Sequence, residues 1–111
     1  MRWKKTENRN YGEDCKRMIG MNRDKPINPA HVPRRTWASG DVSRDSKRGG
    51  YRIDYCFDPN RDAWFHRLER REKRRFEPFL GTFICSSFVL GRFDSLAEAK
   101  AAAEQDKAEA A

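Results

Sequence analysis

Tyr51-Arg52-Ile53-Asp54-Tyr55-Cys56-Phe57-Asp58, followed after Pro59-Asn60-Arg61-Asp62 by Ala63-Trp64-Phe65-His66-Arg67-Leu68-Glu69-Arg70, decides the fold of this 111-residue chain. In the first run Tyr51, Ile53, Tyr55 and Phe57 alternate with Arg52, Asp54, Cys56 and Asp58, the period of two expected of a strand with one buried face. In the second, Trp64, His66 and Leu68 share one face, and Phe65, Arg67 and Glu69 the other. Between them lie turn formers: Pro presets one turn dihedral and Asn tolerates the left-handed region. Two such runs joined by such a turn predict an antiparallel hairpin.

Upstream, Ser46-Lys47-Arg48-Gly49-Gly50 breaks the pattern. From Met1 to Gly50 neither helical nor strand periodicity holds over a long window, and Pro26, Pro29 and Pro33 prevent a helix from crossing their stretch. Residues 1–50 therefore read as an irregular basic arm. Trp3, Tyr11 and Trp37 are more aromatic surface than a solvated tail needs, so this arm is expected to dock in part on the sheet.

Downstream, residues 67–75 carry six positive and two negative charges. A helix beginning near Asp62 competes here with a strand followed by a loop, and the strand is preferred. Phe79 to Phe93 is nearly uncharged and contains Leu80-Gly81-Thr82-Phe83 and Leu90-Gly91-Arg92-Phe93, which read as one strand or two short ones with Gly where the backbone bends. Ser95-Leu96-Ala97-Glu98 is a capping box. Ala fills eight of the fifteen positions from 97 to 111, which favours helix by propensity, with Leu96, Ala99 and Ala103 spaced to lie on the sheet. The expected fold is α+β: a small antiparallel three- or four-stranded sheet packed by one C-terminal helix. The ordered unit spans residues 51–111.

Composition bounds the function. Leu, Ile, Val and Phe together make up 18 of 111 residues, and fourteen of them lie between Tyr51 and Leu96, which excludes a large catalytic domain, a transmembrane protein and a long coiled coil. The net charge is +7. Residues 1–50 carry thirteen basic and six acidic side chains, residues 51–93 nine and six, and residues 94–111 two and five. The basic footprint thus belongs to the first two segments, and the tail repels a polyanion. Cys15, Cys56 and Cys85 form no CxxC pair, and His31 and His66 complete no zinc-finger spacing, so no metal is expected. An odd cysteine count and a start without an apolar leader point to a reducing cytoplasm. Cys56 and Cys85 read as small core hydrophobes.

No nucleophile-base constellation, P-loop, G-x-S-x-G or HExxH is present, and neither catalysis nor a cofactor is expected. The stronger signal is basic residues interleaved with aromatics. Arg67, Arg70, Arg71, Lys73, Arg74 and Arg75, with Arg52, Arg92 and Trp64, are the candidate binding residues, since guanidinium matches phosphate oxygens and an uncovered sheet face can present it. A salt-bridged solvent face is the competing account, because Glu69 and Glu72 are interspersed.

Tyr51-x-Ile53, Trp64 and Leu90-Gly91-Arg92-Phe93-Asp94-Ser95-Leu96-Ala97-Glu98-Ala99-Lys100 together resemble the small strand-strand-strand-helix proteins of phages and mobile elements. The same ending is similar to apetala-type and integrase-arm DNA-binding domains. The resemblance covers about fifty residues and departs from the apetala-type pattern in lacking its Arg and Trp spacing on the first strand. It implies a nucleic-acid or host nucleoprotein partner and no membrane. It also admits the anti-defence inhibitors of this build, anti-CRISPR proteins among them, which act by protein-protein occlusion.

Overall fold

A computed structural model describes residues 1–21 and 32–110. Pro26, Pro29 and His31 lie outside the described residues. In chain order the elements are β1 (Lys4–Glu7), α1 (Tyr11–Met21), β2 (Arg35–Gly40), β3 (Gly50–Asp58), β4 (Ala63–Arg71), β5 (Arg75–Glu77), β6 (Thr82–Ile84), β7 (Ser87–Phe93) and α2 (Leu96–Ala110). The fold is α+β. A five-stranded antiparallel sheet has the order β1-β2-β3-β4-β7, and β5 and β6 form a separate two-stranded hairpin.

The central hairpin forms as the alternation predicts. β3 and β4 pair along their whole lengths, with Ile53 opposite Leu68, Tyr55 opposite His66 and Phe57 opposite Trp64. Asp62 closes the turn at φ 49°. This continuous ladder is why Ala63–Arg71 is a strand and not a helix: nine residues find backbone partners on β3 that a helix would leave unpaired.

The expected sheet of three or four strands is corrected to five, and the arm expected to be irregular supplies the extra strands. β3 has a second hydrogen-bonding edge, and β2 fills it in the register Trp37 to Ile53, with β1 pairing outside it. The sequence conceals this because β2, Arg-Thr-Trp-Ala-Ser-Gly, has one large apolar residue in six, and β1, Lys-Lys-Thr-Glu, has none. Its docking is specific: Trp37 is buried in the main core with Tyr51, Ile53, Leu68, Ala99 and Ala103, and Trp3 packs against them.

α2 lies on the face carrying Ile53 and Leu68. Its start is fixed by Ser95, whose Oγ accepts from the Glu98 amide at 3.1 Å, as the capping box requires. Ala99 and Ala103 are wholly buried, and their small side chains let the helix approach the strands. The stretch from Phe79 to Phe93 resolves into β6 and β7. Gly81 takes φ 64° in the β5–β6 turn. On β7 the pairing with β4 shifts between Leu68 and Glu69, a bulge that displaces Leu90 from the ladder.

Leu68→Ala empties a site with no solvent access and is expected to cost about 2–5 kcal/mol in urea unfolding. Val89→Ala, on the exposed part of β7, is expected to stay within about 0.5 kcal/mol.

Candidate functional site: a cationic cleft

The pairing of β3 with β4 sorts the candidate arginines. Residues opposite one another across strands share a face, so Arg52 meets Glu69 and Asp54 meets Arg67 on the side away from α2. There they form a lattice: Arg52 to Glu69 at 3.1 Å and to Asp54 at 3.3 Å, Arg67 to Asp54 at 3.1 Å, Arg71 to Glu69 at 3.8 Å, and Arg92 to Asp58 at 3.3 Å. Asp54 is 2% exposed and also accepts from Thr36 Oγ1 at 2.8 Å. Arg74 pairs with Asp45 at 3.2 Å and Arg75 with Glu77 at 3.8 Å. Acidic residues are outnumbered along 67–75 in sequence, but in space carboxylates from Asp45, Asp54 and Asp106 join them. Of the two arrangements the sequence allows, this face takes the salt-bridged one.

Trp64 stands apart from these cations. It stacks on Tyr55 with ring centroids 4.9 Å apart, contacts Phe57 and Tyr11, and has the Arg34 guanidinium 5.7 Å from its ring. His66 packs on Tyr55 and Trp37, and burial lowers its pKa, so the ring is a neutral packing partner. Cys56 is buried, which pushes its thiol up to about 11, in keeping with a core role. Among the described residues no group of three His, Cys, Asp or Glu is placed to hold a metal ion, and no helix is long and apolar enough to cross a membrane.

Arg70 projects to the α2 side and does different work. Its Nη1 donates to both Asp106 oxygens at 3.0 and 3.1 Å, while Tyr51 Oη donates to Asp106 Oδ2 at 2.6 Å. Hydrogen bonding from Tyr51 and then from Arg70 holds the Asp106 carboxyl below its usual range. Burial, reinforced by Asp106, raises Tyr51 to about 12. This clamp ties the last turns of α2 to β3 and β4. No sequence signal marks it, because its members lie 55 and 36 positions apart.

Beside the clamp opens a cleft of about 700 Å³. The β2–β3 loop forms one wall, and its shape is fixed by side chains. Asp41 accepts from the Ser43 hydroxyl at 2.6 Å and amide at 3.1 Å, and from the Lys47 amide at 2.9 Å. These bonds lower its pKa to about 2. Buried Ser46 donates to the Asp41 carbonyl at 2.6 Å and accepts from the Gly49 amide at 2.8 Å, and its own carbonyl accepts from the Arg74 amide at 2.6 Å. Gly50 is obligatory here: a Cβ on it would stand 2.5 Å from the Ser39 carbonyl oxygen.

The cleft is lined by Arg48 from this loop, Arg70, Arg71 and Lys73 from the end of β4 and beyond, Arg75 from β5 and Lys107 from α2, and among the described residues Glu72 is the one side-chain carboxylate in its wall. Among the described residues, Arg48, Lys73 and Lys107 have no carboxylate partner. The cations of the lattice face are neutralised, whereas this end of the sheet sets three unpaired cations beside three paired arginines; other described cations without a carboxylate partner, among them Arg2, Lys4, Arg9, Arg44, Arg61 and Lys100, lie outside the cleft. Of the residues expected from sequence, Arg70, Arg71, Lys73 and Arg75 meet here, while Arg52, Arg67, Arg74, Arg92 and Trp64 do not line it. Arg48 and Lys107 were missed: one sits in a breaker and the other in an acidic tail, and only the fold brings them together.

The clamp gives a pH signature. Because the Asp106 carboxyl is held low in the folded chain, its stabilisation is fully present above about pH 5, where the unfolded group is almost wholly ionised, and is lost as pH falls from there through the lowered value. Asp106→Ala is expected to cost about 1–3 kcal/mol near pH 7, with the difference from wild type shrinking towards acid pH in urea titrations.

No protein-family model matches the chain, and neither a curated protein nor a solved structure matches it, so its function is argued from this cleft.

Proposed function

We propose that this protein is a non-catalytic nucleic-acid-binding protein, taking free nucleic acid or that of a nucleoprotein complex, and that it holds the phosphate backbone in the cationic cleft. The observation that carries the reading is the concentration, among the described residues, of six cationic side chains and one carboxylate around a single concavity, three of those cations having no carboxylate partner there. Each unpaired cation can neutralise a phosphate and release a condensed counterion, the term that supplies most sequence-independent affinity.

The paired arginines add to this. Arg75 is 65% exposed and meets Glu77 only at 3.8 Å, and such a surface pair contributes at most about 1 kcal/mol. A phosphate offering charge-assisted bidentate contact can displace that carboxylate. Tyr51, also on the cleft wall, stays protonated and bound to Asp106, which suits a wall better than a reactive group. The C-terminal end of α2 brings a partial negative charge, and Lys107 in its last turn offsets it.

Arg48→Ala, Lys73→Ala and Lys107→Ala are each expected to reduce the slope of log K against log salt by about 0.7–0.9, measured by fluorescence anisotropy on an oligonucleotide. The triple variant is expected to lose most low-salt affinity. Lys16→Ala, on α1 and paired with Glu13, is expected to leave the slope unchanged. Binding that ignores salt, or that survives the triple variant intact, contradicts the reading.

A further inference from the structure

The β5–β6 hairpin leaves its large apolar side chains in solvent. Phe79 at its turn is 98% exposed, Leu80 66%, Phe76 55% and Phe83 50%. Phe76 and Phe83 meet edge to face with centroids 5.5 Å apart. At about 200 Å² per phenylalanine side chain, the three rings together expose on the order of 400 Å², comparable to the largest apolar patches of ordinary monomers, which are often functional.

Phe79 and Leu80 at the tip pack on little of the described chain. The hairpin is anchored at its base, where the Arg74 amide donates to the Ser46 carbonyl at 2.6 Å and the Glu72 amide to the Ser86 carbonyl at 2.9 Å. Phe76 and Phe83 cover part of each other, but Phe79 and Leu80 at the tip stay exposed among the described residues, a surface suited to a partner outside the chain.

The chemistry of that partner follows from what adjoins the tip. Arg75 belongs both to β5 and to the cleft wall. The Arg74 guanidinium stands 4.4 Å from the Phe83 ring. At about 3.3 Å per residue, Phe79 lies within roughly 13 Å of Arg75, in reach of bases whose phosphates occupy the cleft. Aromatic rings continuous with a cationic groove form the arrangement that binds single strands, because every unpaired base has a face to stack and a duplex hides those faces.

We infer that the hairpin is a stacking platform, and that the ligand of the cleft is single-stranded nucleic acid with bases lying against Phe79 and the exposed side of Phe76, while Phe83, covered by Arg74 and Phe76, supports the platform. The inference rests on the cleft reading and adds the class of nucleic acid.

Fluorescence anisotropy with three labelled ligands tests it: a short oligothymidylate, an abasic strand with the same number of phosphates, and a duplex. The oligothymidylate is expected to bind about tenfold more tightly than the abasic strand. Phe79→Ala, fully exposed and so free of folding consequences, is expected to narrow that gap without changing abasic affinity. Equal affinity for both strands with a silent Phe79→Ala, or tighter binding of the duplex, overturns the stacking platform while leaving the cleft standing. No salt-dependent binding of any of the three overturns both.

Discussion

The register between β3 and β4 is the constraint on which the rest depends. Placing Ile53 against Leu68 puts both under Ala99 and Ala103 of α2 and makes the core. The same register places Asp54 beside Arg67 and Glu69 beside Arg52 on the other face. A slip of one residue would turn each set to the wrong side, exposing the apolar residues and burying charges without partners. One hydrogen-bonded ladder thus decides what is core, which arginines are neutralised and where positive charge is left over.

The leftover charge is a matter of geometry more than of composition. Most of the arginines that look available in the sequence are answered by carboxylates distant along the chain. Asp54 is nearly buried and is shared by Arg52, Arg67 and Thr36, so the lattice face behaves as structure. The cleft differs because its walls bring cations from several elements together: Arg75 has Glu77, Arg71 has Glu69 and Arg70 has Asp106 and Glu72, but among the described residues Arg48, Lys73 and Lys107 have no carboxylate partner. The loop hub at Asp41 and Ser46 and the Tyr51-Asp106-Arg70 clamp hold those walls in place.

The central hairpin, the capped helix and its two buried alanines are legible in the sequence because each is written in a local pattern: alternation, a capping box, helical spacing. β1 and β2 are not, since edge strands with one or no large apolar residue carry no period and owe their existence to the open edge of β3. The candidate site is half legible. Arg70, Arg71, Lys73 and Arg75 stand in a visible basic run, but Arg48 and Lys107 join them only through tertiary contacts. Trp64, conspicuous as a stacking residue, is committed to Tyr55 and Phe57. The exposed aromatics of the β5–β6 hairpin are phenylalanines, of which Phe79 and Phe83 fall in the stretch that reads as strand and Phe76 before it.

The most direct test of the account is a titration of the isotope-labelled protein with a short oligonucleotide, followed by backbone amide NMR. The account predicts shifts concentrated at Arg48, Lys73, Arg75 and Lys107, with Arg52, Arg67 and Arg92 on the lattice face unmoved. Shifts centred on the lattice face, or an unperturbed spectrum at low salt, would contradict it.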